Sequence, residues 1–266
     1  MITSAANEQI KSIRKLRDKR HRTESGLAYV EGSKLVIDAI LQEANIEKII
    51  ISQSYAESEK RAEIQTFLKT RAIEQTLVSD EVFASISQKD NPQGIGAVVR
   101  QDWLKLDQLS GRLSGLWVGL LEIADPGNLG TIMRTIDATG ARGIFLIGNC
   151  TDPYDPNAIR ASMGALFRNT IIKTDIDSFT NWARVNNIAL IGTSDSAETY
   201  YRRFVYPRDM ILMMGSERQG LTDAIEDLCN DMVSIPMTGI SDSLNLAVAT
   251  GIILYEILHQ TTESPG

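Results

Sequence analysis

Three stretches of the 266-residue chain gather residue types that can position and polarise a small reactant. The first, DPGNLGTIMRTIDATGA (residues 125–141), carries Asn128, Gly130 and Arg134. The second, MGSERQGL (214–221), carries Gly215, Glu217 and Gly220. The third, SIPMTGISDSLNLAVATGIILYE (234–256), carries Pro236, Met237, Gly239, Ser243, Leu244 and Asn245. Each reads as the end of an apolar strand, a loop of small residues and the start of a helix. In open α/β sheets ligands bind at the carboxyl ends of strands, and glycine lets a backbone approach a ligand closely. With Asn128 at a helix N-cap, Arg134 falls on the second turn and reaches the same mouth. Ser243 and Asn245 fall at a helix N-terminus, where unpaired N–H groups favour an oxyanion. Taken one at a time, the same residues suit plainer roles: Asn128 and Ser243 as caps, Arg134 as a surface ion-pair partner.

Several chemistries are missing. No G-x-x-x-x-G-K-[ST] phosphate loop is present, and GIGAVV (94–99) lacks the third glycine of a dinucleotide fingerprint. No G-x-S-x-G nucleophile elbow occurs. The two histidines, His21 and His259, stand outside every motif, which argues against histidine acid–base or nucleophilic catalysis. Cys150 and Cys229 are too few and too far apart for a disulfide framework or a zinc pattern. A reducing cytoplasm is therefore the expected compartment and no metal is expected. The N-terminus lacks the apolar segment of a secretory signal, and no apolar run approaches the roughly 20 residues that span a bilayer, so no membrane is expected.

The elements that hold the three stretches follow from hydrophobic period. LWVGLLEI (116–123), GIFLIG (143–148), IALIGTS (188–194), MILMMGS (210–216) and MVSIP (232–236) are near-continuous apolar runs, as expected of parallel strands buried on both faces. Residues 170–173 add a short strand, with helices expected over 128–140, 157–167, 177–187 and 243–260. The fold class is therefore α/β with a mostly parallel sheet. The first hundred residues alternate differently: helices over 7–20, 33–43, 57–71 and 80–88, and strands over 28–31, 46–52, 76–79 and 95–100. Residues 101–114, broken by Ser110, Gly111 and Ser114, form the best boundary. The division reads 1–100, a linker 101–114, and 115–266.

Charge is unevenly spread. From Lys11 to Arg22 the chain has seven bases and one acid, a net +6 on a chain whose total is -7. Lys15, Arg17, Lys19, Arg20 and Arg22 belong to this run, which reads either as a solvated helix face or as a phosphate-contacting arm.

Together and in order, the three stretches resemble the signature motifs of the SpoU (TrmH-like) branch of the knotted SPOUT methyltransferases: N-x-G-x-x-x-R, G-x-E-x-x-G and P-M-x-G-x-x-x-S-L-N. RASMGALFR (160–168) resembles a segment common in members acting on ribosomal RNA. VEGSKLVIDAI (30–40) and NPQGIGAVV (91–99) are similar to the RNA substrate-binding domain many members carry, a small ribosomal-protein-like α/β fold. The one departure noted is Ala28, where a larger apolar residue is common. The resemblance implies a trefoil-knotted catalytic domain, S-adenosylmethionine as cofactor, a homodimer, and 2′-O-methylation of RNA ribose, with large-subunit (23S) ribosomal RNA the expected substrate. It places the cofactor against Gly215, Ile235 and Leu244, with Thr193 a further candidate, so that a side chain added at Gly215 would intrude on the cofactor. It assigns catalysis to Arg134, assisted by Asn128, Glu217, Ser243 and Asn245. With a pKa above about 12 an arginine is a poor base, so a phosphate clamp that stabilises a nascent alkoxide is the expected role. Transfer RNA remains an alternative substrate, though minimal tRNA-acting members often lack the N-terminal extension. A non-catalytic RNA-binding or ribosome-assembly factor remains a second alternative, opposed by the intact motif residues.

Overall fold

The computed structural model describes residues 1–71, 73–109, 113–240 and 243–263. Ser110 and Gly111, two of the expected boundary residues, lie outside them. The N-terminal elements are α1 (Glu8–Lys15), α2 (Lys19–Ser25), β1 (Leu27–Glu31), α3 (Ser33–Leu41), β2 (Ile46–Ser52), α4 (Gln53–Glu57), α5 (Lys60–Arg71), β3 (Glu74–Val78), α6 (Asp80–Ile86) and β4 (Ile95–Arg100). There follow β5 (Leu116–Leu121), α7 (Pro126–Thr139), β6 (Gly143–Ile147), α8 (Pro156–Ser162), β7 (Thr170–Thr174), α9 (Ile176–Asn186), β8 (Leu190–Thr193), β9 (Thr199–Tyr200), β10 (Met210–Met214), α10 (Asp223–Glu226), β11 (Asp231–Ser234) and α11 (Leu246–Glu263). No described helix is long and apolar enough to cross a membrane.

The chain forms two compact units, Met1–Gln101 with Tyr154–Phe167, and Asp102–Pro153 with Arg168–Gly266. The first holds a four-stranded sheet in the order β1-β4-β2-β3, antiparallel except for the β2–β3 pair. Ile10, Ile13 and Leu16 close its core over Ile50, Val82, Phe83 and Val98. The helix expected over 7–20 is two helices. The Asp18 side chain accepts from the Arg20 N–H at 2.8 Å, so it caps α2 and breaks the run. The helix expected over 157–167 also splits, because Met163 (φ 51°) and Gly164 (φ 94°) turn left-handed after α8. A Cβ at Gly164 would collide with the Asp38 carboxylate, so glycine is required there.

The second unit holds seven strands in the order β7-β6-β5-β10-β8-β11-β9, and every pairing is parallel. The all-apolar strands expected from sequence are buried throughout β6 and β10, since helices cover both faces of a parallel sheet. Phe145, Phe179, Ile211 and Met213 lie in its main core. Leu104 bridges to Ile172, and Leu104, Leu106 and Leu109 pack on that core. The expected linker thus has an apolar side seated on the second unit.

Arg22 is 1% exposed. Its guanidinium donates to the Leu16 and Arg17 carbonyls at 3.0 and 2.8 Å and to Asp155 at 3.4 Å. It closes the α1–α2 turn from inside. Charged hydrogen bonds of this kind contribute about 1.5–3 kcal/mol each, and their loss strands buried carbonyls. Arg22→Ala should lower unfolding stability by about 3 kcal/mol. Urea denaturation checks this; a variant as stable as the parent would show that the buried guanidinium is not structural.

Candidate functional site

The three motif stretches meet at the carboxyl ends of β5, β10 and β11. Helix α7 follows β5 after a short loop, residues 122–125. Its N-cap is Asp125, whose carboxylate accepts from the Asn128 N–H at 2.6 Å, and Pro126 occupies the first turn, where its fixed φ and missing N–H carry no penalty. Asn128 is therefore not the cap expected for it. It stands in the first turn with its side chain free to reach outwards. Likewise α11 begins at Leu246, later than expected: Asn245 accepts from the Ala247 and Val248 N–H groups at 3.0 and 3.3 Å. Asn245, not Ser243, is the cap.

A directed chain of hydrogen bonds joins the motifs. Asn128 Nδ2 donates to Glu217 Oε1 at 3.0 Å, and Asn245 Nδ2 donates to Asn128 Oδ1 at 2.9 Å. Glu217 Oε2 also accepts from the Ala124 N–H at 3.4 Å. An ionised carboxylate only accepts, so Asn128 must turn its NH₂ towards Glu217. Its carbonyl oxygen then faces the Asn245 amide, whose own oxygen caps α11. The orientation of every amide in the chain follows from the one carboxylate.

Beside this chain lies a cleft of about 680 Å³, lined by Thr193, Gly215, Glu217, Ile235, Ser243, Leu244 and Asn245 among others. The cofactor positions expected from the resemblance thus share one cavity with the motif residue Met237, together with Ser194, Asp195 and Glu226, which sequence reasoning did not assign to the site. Nothing in the sequence flags Asp195 or Glu226; the first arrives on the loop after β8 and the second at the end of α10. The Thr193 hydroxyl bonds the Met213 carbonyl at 3.0 Å, tying β8 to β10 at the cleft wall.

The loop after β10 is a tight hairpin. Ser216 and Gly220 exchange backbone bonds at 2.9 and 3.1 Å, with Gly220 left-handed at φ 68°. A Cβ on Gly215 would collide with the backbone of Gly220 and Leu221. The glycine is therefore required by the close approach of the loop over it, a constraint separate from the cofactor contact expected from the sequence.

Arg134 is exposed on α7 and, among the described residues, its side chain makes no hydrogen bond or ion pair; it is not on the lining of the cleft. In the basic run, Lys15 and Lys19 are exposed. Arg20 pairs with Glu24 at 2.7 Å, and Arg17 donates to the Ser85 and Ser87 carbonyls at 3.0 and 2.7 Å.

Residues 115–255 match the SpoU rRNA Methylase family. The chain belongs to that family. Residues 7–97 match the MRM3-like substrate binding domain. Among the relatives of this SpoU chain, an uncharacterized tRNA/rRNA methyltransferase of Synechocystis sp. is 31% identical over 100% of this chain and 96% of its own length. The 23S rRNA (guanosine(2553)-2′-O)-methyltransferase RlmP of Bacillus subtilis is 26% identical over 96% of this chain and 98% of its own. The AdoMet-bound rRNA methyltransferase of Sinorhizobium meliloti superimposes with a TM-score of 0.88 at 34% identity, covering 97% of each chain.

The hairpin geometry makes a prediction. Gly215→Val should both lower the thermal midpoint by several degrees and abolish binding in the cleft, because the loop must open to admit the side chain. Differential scanning calorimetry with and without S-adenosylmethionine separates this from a simple steric block, which would leave the midpoint of the ligand-free protein unchanged.

Proposed function

We propose that the protein transfers a methyl group from S-adenosylmethionine to a ribose 2′-hydroxyl of large-subunit (23S) ribosomal RNA. The observation that carries the reading is the hydrogen-bonded convergence of Asn128, Glu217 and Asn245 on one cleft. The cleft suits the cofactor. Its volume is that of a small-ligand site, Ile235, Leu244, Leu246 and Ile253 give an apolar wall for a purine, and Asp195, Glu217 and Glu226 supply negative charge towards a cation. When bound, S-adenosylmethionine supplies an activated methyl on a good leaving group. The protein's own task is alignment and stabilisation of charge on the attacking oxygen. Arg134 fills that role as a clamp on phosphate and nascent alkoxide, the hydroxyl proton passing to a phosphate oxygen or water and the cofactor leaving as a neutral thioether, with Asn128, Glu217, Ser243 and Asn245 fixing the loops around it. Gly215, Ile235, Leu244 and Thr193 contact the cofactor.

Residues 1–100 serve as the RNA substrate-binding domain, 101–114 as linker, and 115–266 as the catalytic domain. Of the basic run, Lys15, Lys19 and Arg20 are the phosphate contacts best supported by exposure; Arg17 contributes one edge of its guanidinium, and the interior Arg22 shapes the turn that presents them. The strand order supports knotted threading: β10 lies between β5 and β8, and the chain returns from β11 to pack α11 against α7. A homodimer is supported by the apolar face of α11, where Val248 and Tyr255 are 51% and 55% exposed. Thr135 of α7 lies 3.9 Å from the Cβ position of Gly251 on α11, so α7, which carries Arg134, packs against α11 there. The thiols of Cys150 and Cys229 are free, which suits a cytoplasmic protein.

Two outcomes are expected. Offered unmodified 23S RNA and tRNA with labelled cofactor, the enzyme should label 23S RNA at a 2′-O position; labelling of tRNA alone would refute the substrate assignment. Arg134→Ala should cut turnover by at least about a hundredfold, the loss typical of removing one oxyanion-stabilising group, while calorimetry shows cofactor affinity unchanged. A lysine substituted at this position should rescue only partly, since it lacks the planar fork.

A further inference from the structure

The catalytic unit carries a second patch of RNA-like complementarity that the motifs do not include. The segment YYRRFVYPR (200–208) has three arginines, three tyrosines and no acid, on a chain whose net charge is -7. Its first residue lies in β9, the edge strand of the sheet, with Tyr200 in register with Ser234 of β11. Ser234 immediately precedes Ile235, which lines the cleft, and Ser194 and Asp195 on the approach to β9 line it too. The segment therefore flanks the cofactor cavity.

The segment is held rigidly. Tyr206 is buried, and its hydroxyl donates to the Tyr201 carbonyl at 2.9 Å; burial raises its pKa, so it stays a donor. The Tyr206 N–H donates to Gln260 Oε1 at 3.3 Å, while Gln260 Nε2 donates to the Phe204 carbonyl at 3.0 Å. The Tyr206 and Phe204 rings pack edge-on at 5.0 Å. On this base Tyr200 is 44% exposed, with the Arg203 guanidinium 5.4 Å from its ring centroid. Arg203 and Arg208 are exposed, whereas Arg202 is engaged with Glu256 of α11 at 3.5 Å. A fixed, exposed aromatic ring next to planar cations is the arrangement on which unstacked bases and their phosphates bind. Duplex RNA hides its base faces, so the patch discriminates for single strand.

We propose that residues 200–208 are a second RNA contact, on which a single-stranded stretch of the substrate stacks on Tyr200 and pairs its phosphates with Arg203 and Arg208. The proposal rests on the RNA methyltransferase reading but is tested apart from turnover. Fluorescence anisotropy would compare a 12-nucleotide oligouridylate with a 12-base-pair RNA duplex on the full chain and on the Tyr200→Ala, Tyr200→Phe and Arg203→Glu variants. Tyr200→Ala should weaken oligouridylate binding at least about fivefold and barely change duplex binding, while Tyr200→Phe stays close to the parent. Arg203→Glu should lower the slope of affinity against salt by roughly 0.7. On 23S RNA both Tyr200→Ala and Arg203→Glu should raise KM more than they lower kcat, with cofactor affinity unchanged. Unaltered oligouridylate affinity in both variants would overturn the proposal. So would a change of oligomeric state with RNA affinity per protomer intact, which would assign the patch to a second copy of the chain. Failure of the methyltransferase reading shows separately, as a parent protein that transfers no methyl group to any RNA.

Discussion

The Glu217 carboxylate sets the geometry on which the rest of the site depends. Because it can only accept hydrogen bonds, it orients the Asn128 amide, and through it the Asn245 amide that caps α11. One charge thereby fixes three loops that are far apart in sequence. Parallel strands of this sheet deliver the loops to one edge, but backbone pairing stops at the strand ends. Beyond them the side-chain chain must hold the cleft open and in register. Its members are exposed or half-exposed, so each link alone contributes about 1 kcal/mol or somewhat more where the carboxylate takes part. The arrangement persists because each link also ends in backbone: the Ala124 N–H at one end and the α11 N-terminus at the other.

The two units use polar groups differently. In the second unit the motif residues sit at the rim, and the main core is built from apolar side chains. In the first unit a full guanidinium, Arg22, is interior, and the basic run, read from sequence as either a solvated face or a phosphate-contacting arm, divides. Part of it, Arg17 and Arg22, satisfies carbonyls within the fold, and part of it, Lys15 and Lys19, faces solvent. Net charge in a window therefore overstates the charge presented to a partner.

Much of this was legible in the sequence. Strands β5, β6, β8, β10 and β11 announced themselves as apolar runs because both faces of a parallel sheet are buried. The motif loops were legible only together: each residue alone suits a cap or a surface pair, and it was the order and spacing of the three stretches that carried the resemblance. What escaped was decided by local competition or by distance. Asp125 outcompetes Asn128 for the α7 cap because Pro126 fixes the first helical turn. Asn245 starts α11 because its oxygen reaches the Ala247 and Val248 N–H groups. Residues 154–167 fold with the first unit although sequence order places them among catalytic strands; contacts such as Asp155 with Arg22, 133 positions apart, have no local signature. The two-residue strand β9 is too short to show any period.

The direct test of the directed chain is a reversal of its first link. Asn128→Asp removes the NH₂ and faces two carboxylates at the distance of a hydrogen bond. Glu217→Gln added to it restores a donor on the other side, while the new carboxylate at position 128 still accepts from Asn245. Calorimetric titration of S-adenosylmethionine into the two single variants and the double variant measures the coupling. If the chain holds the cleft, Asn128→Asp loses at least about tenfold in affinity and the double variant regains most of it, a coupling of about 1 kcal/mol or more. Additive losses, or an Asn128→Asp variant that binds like the parent, would contradict the account.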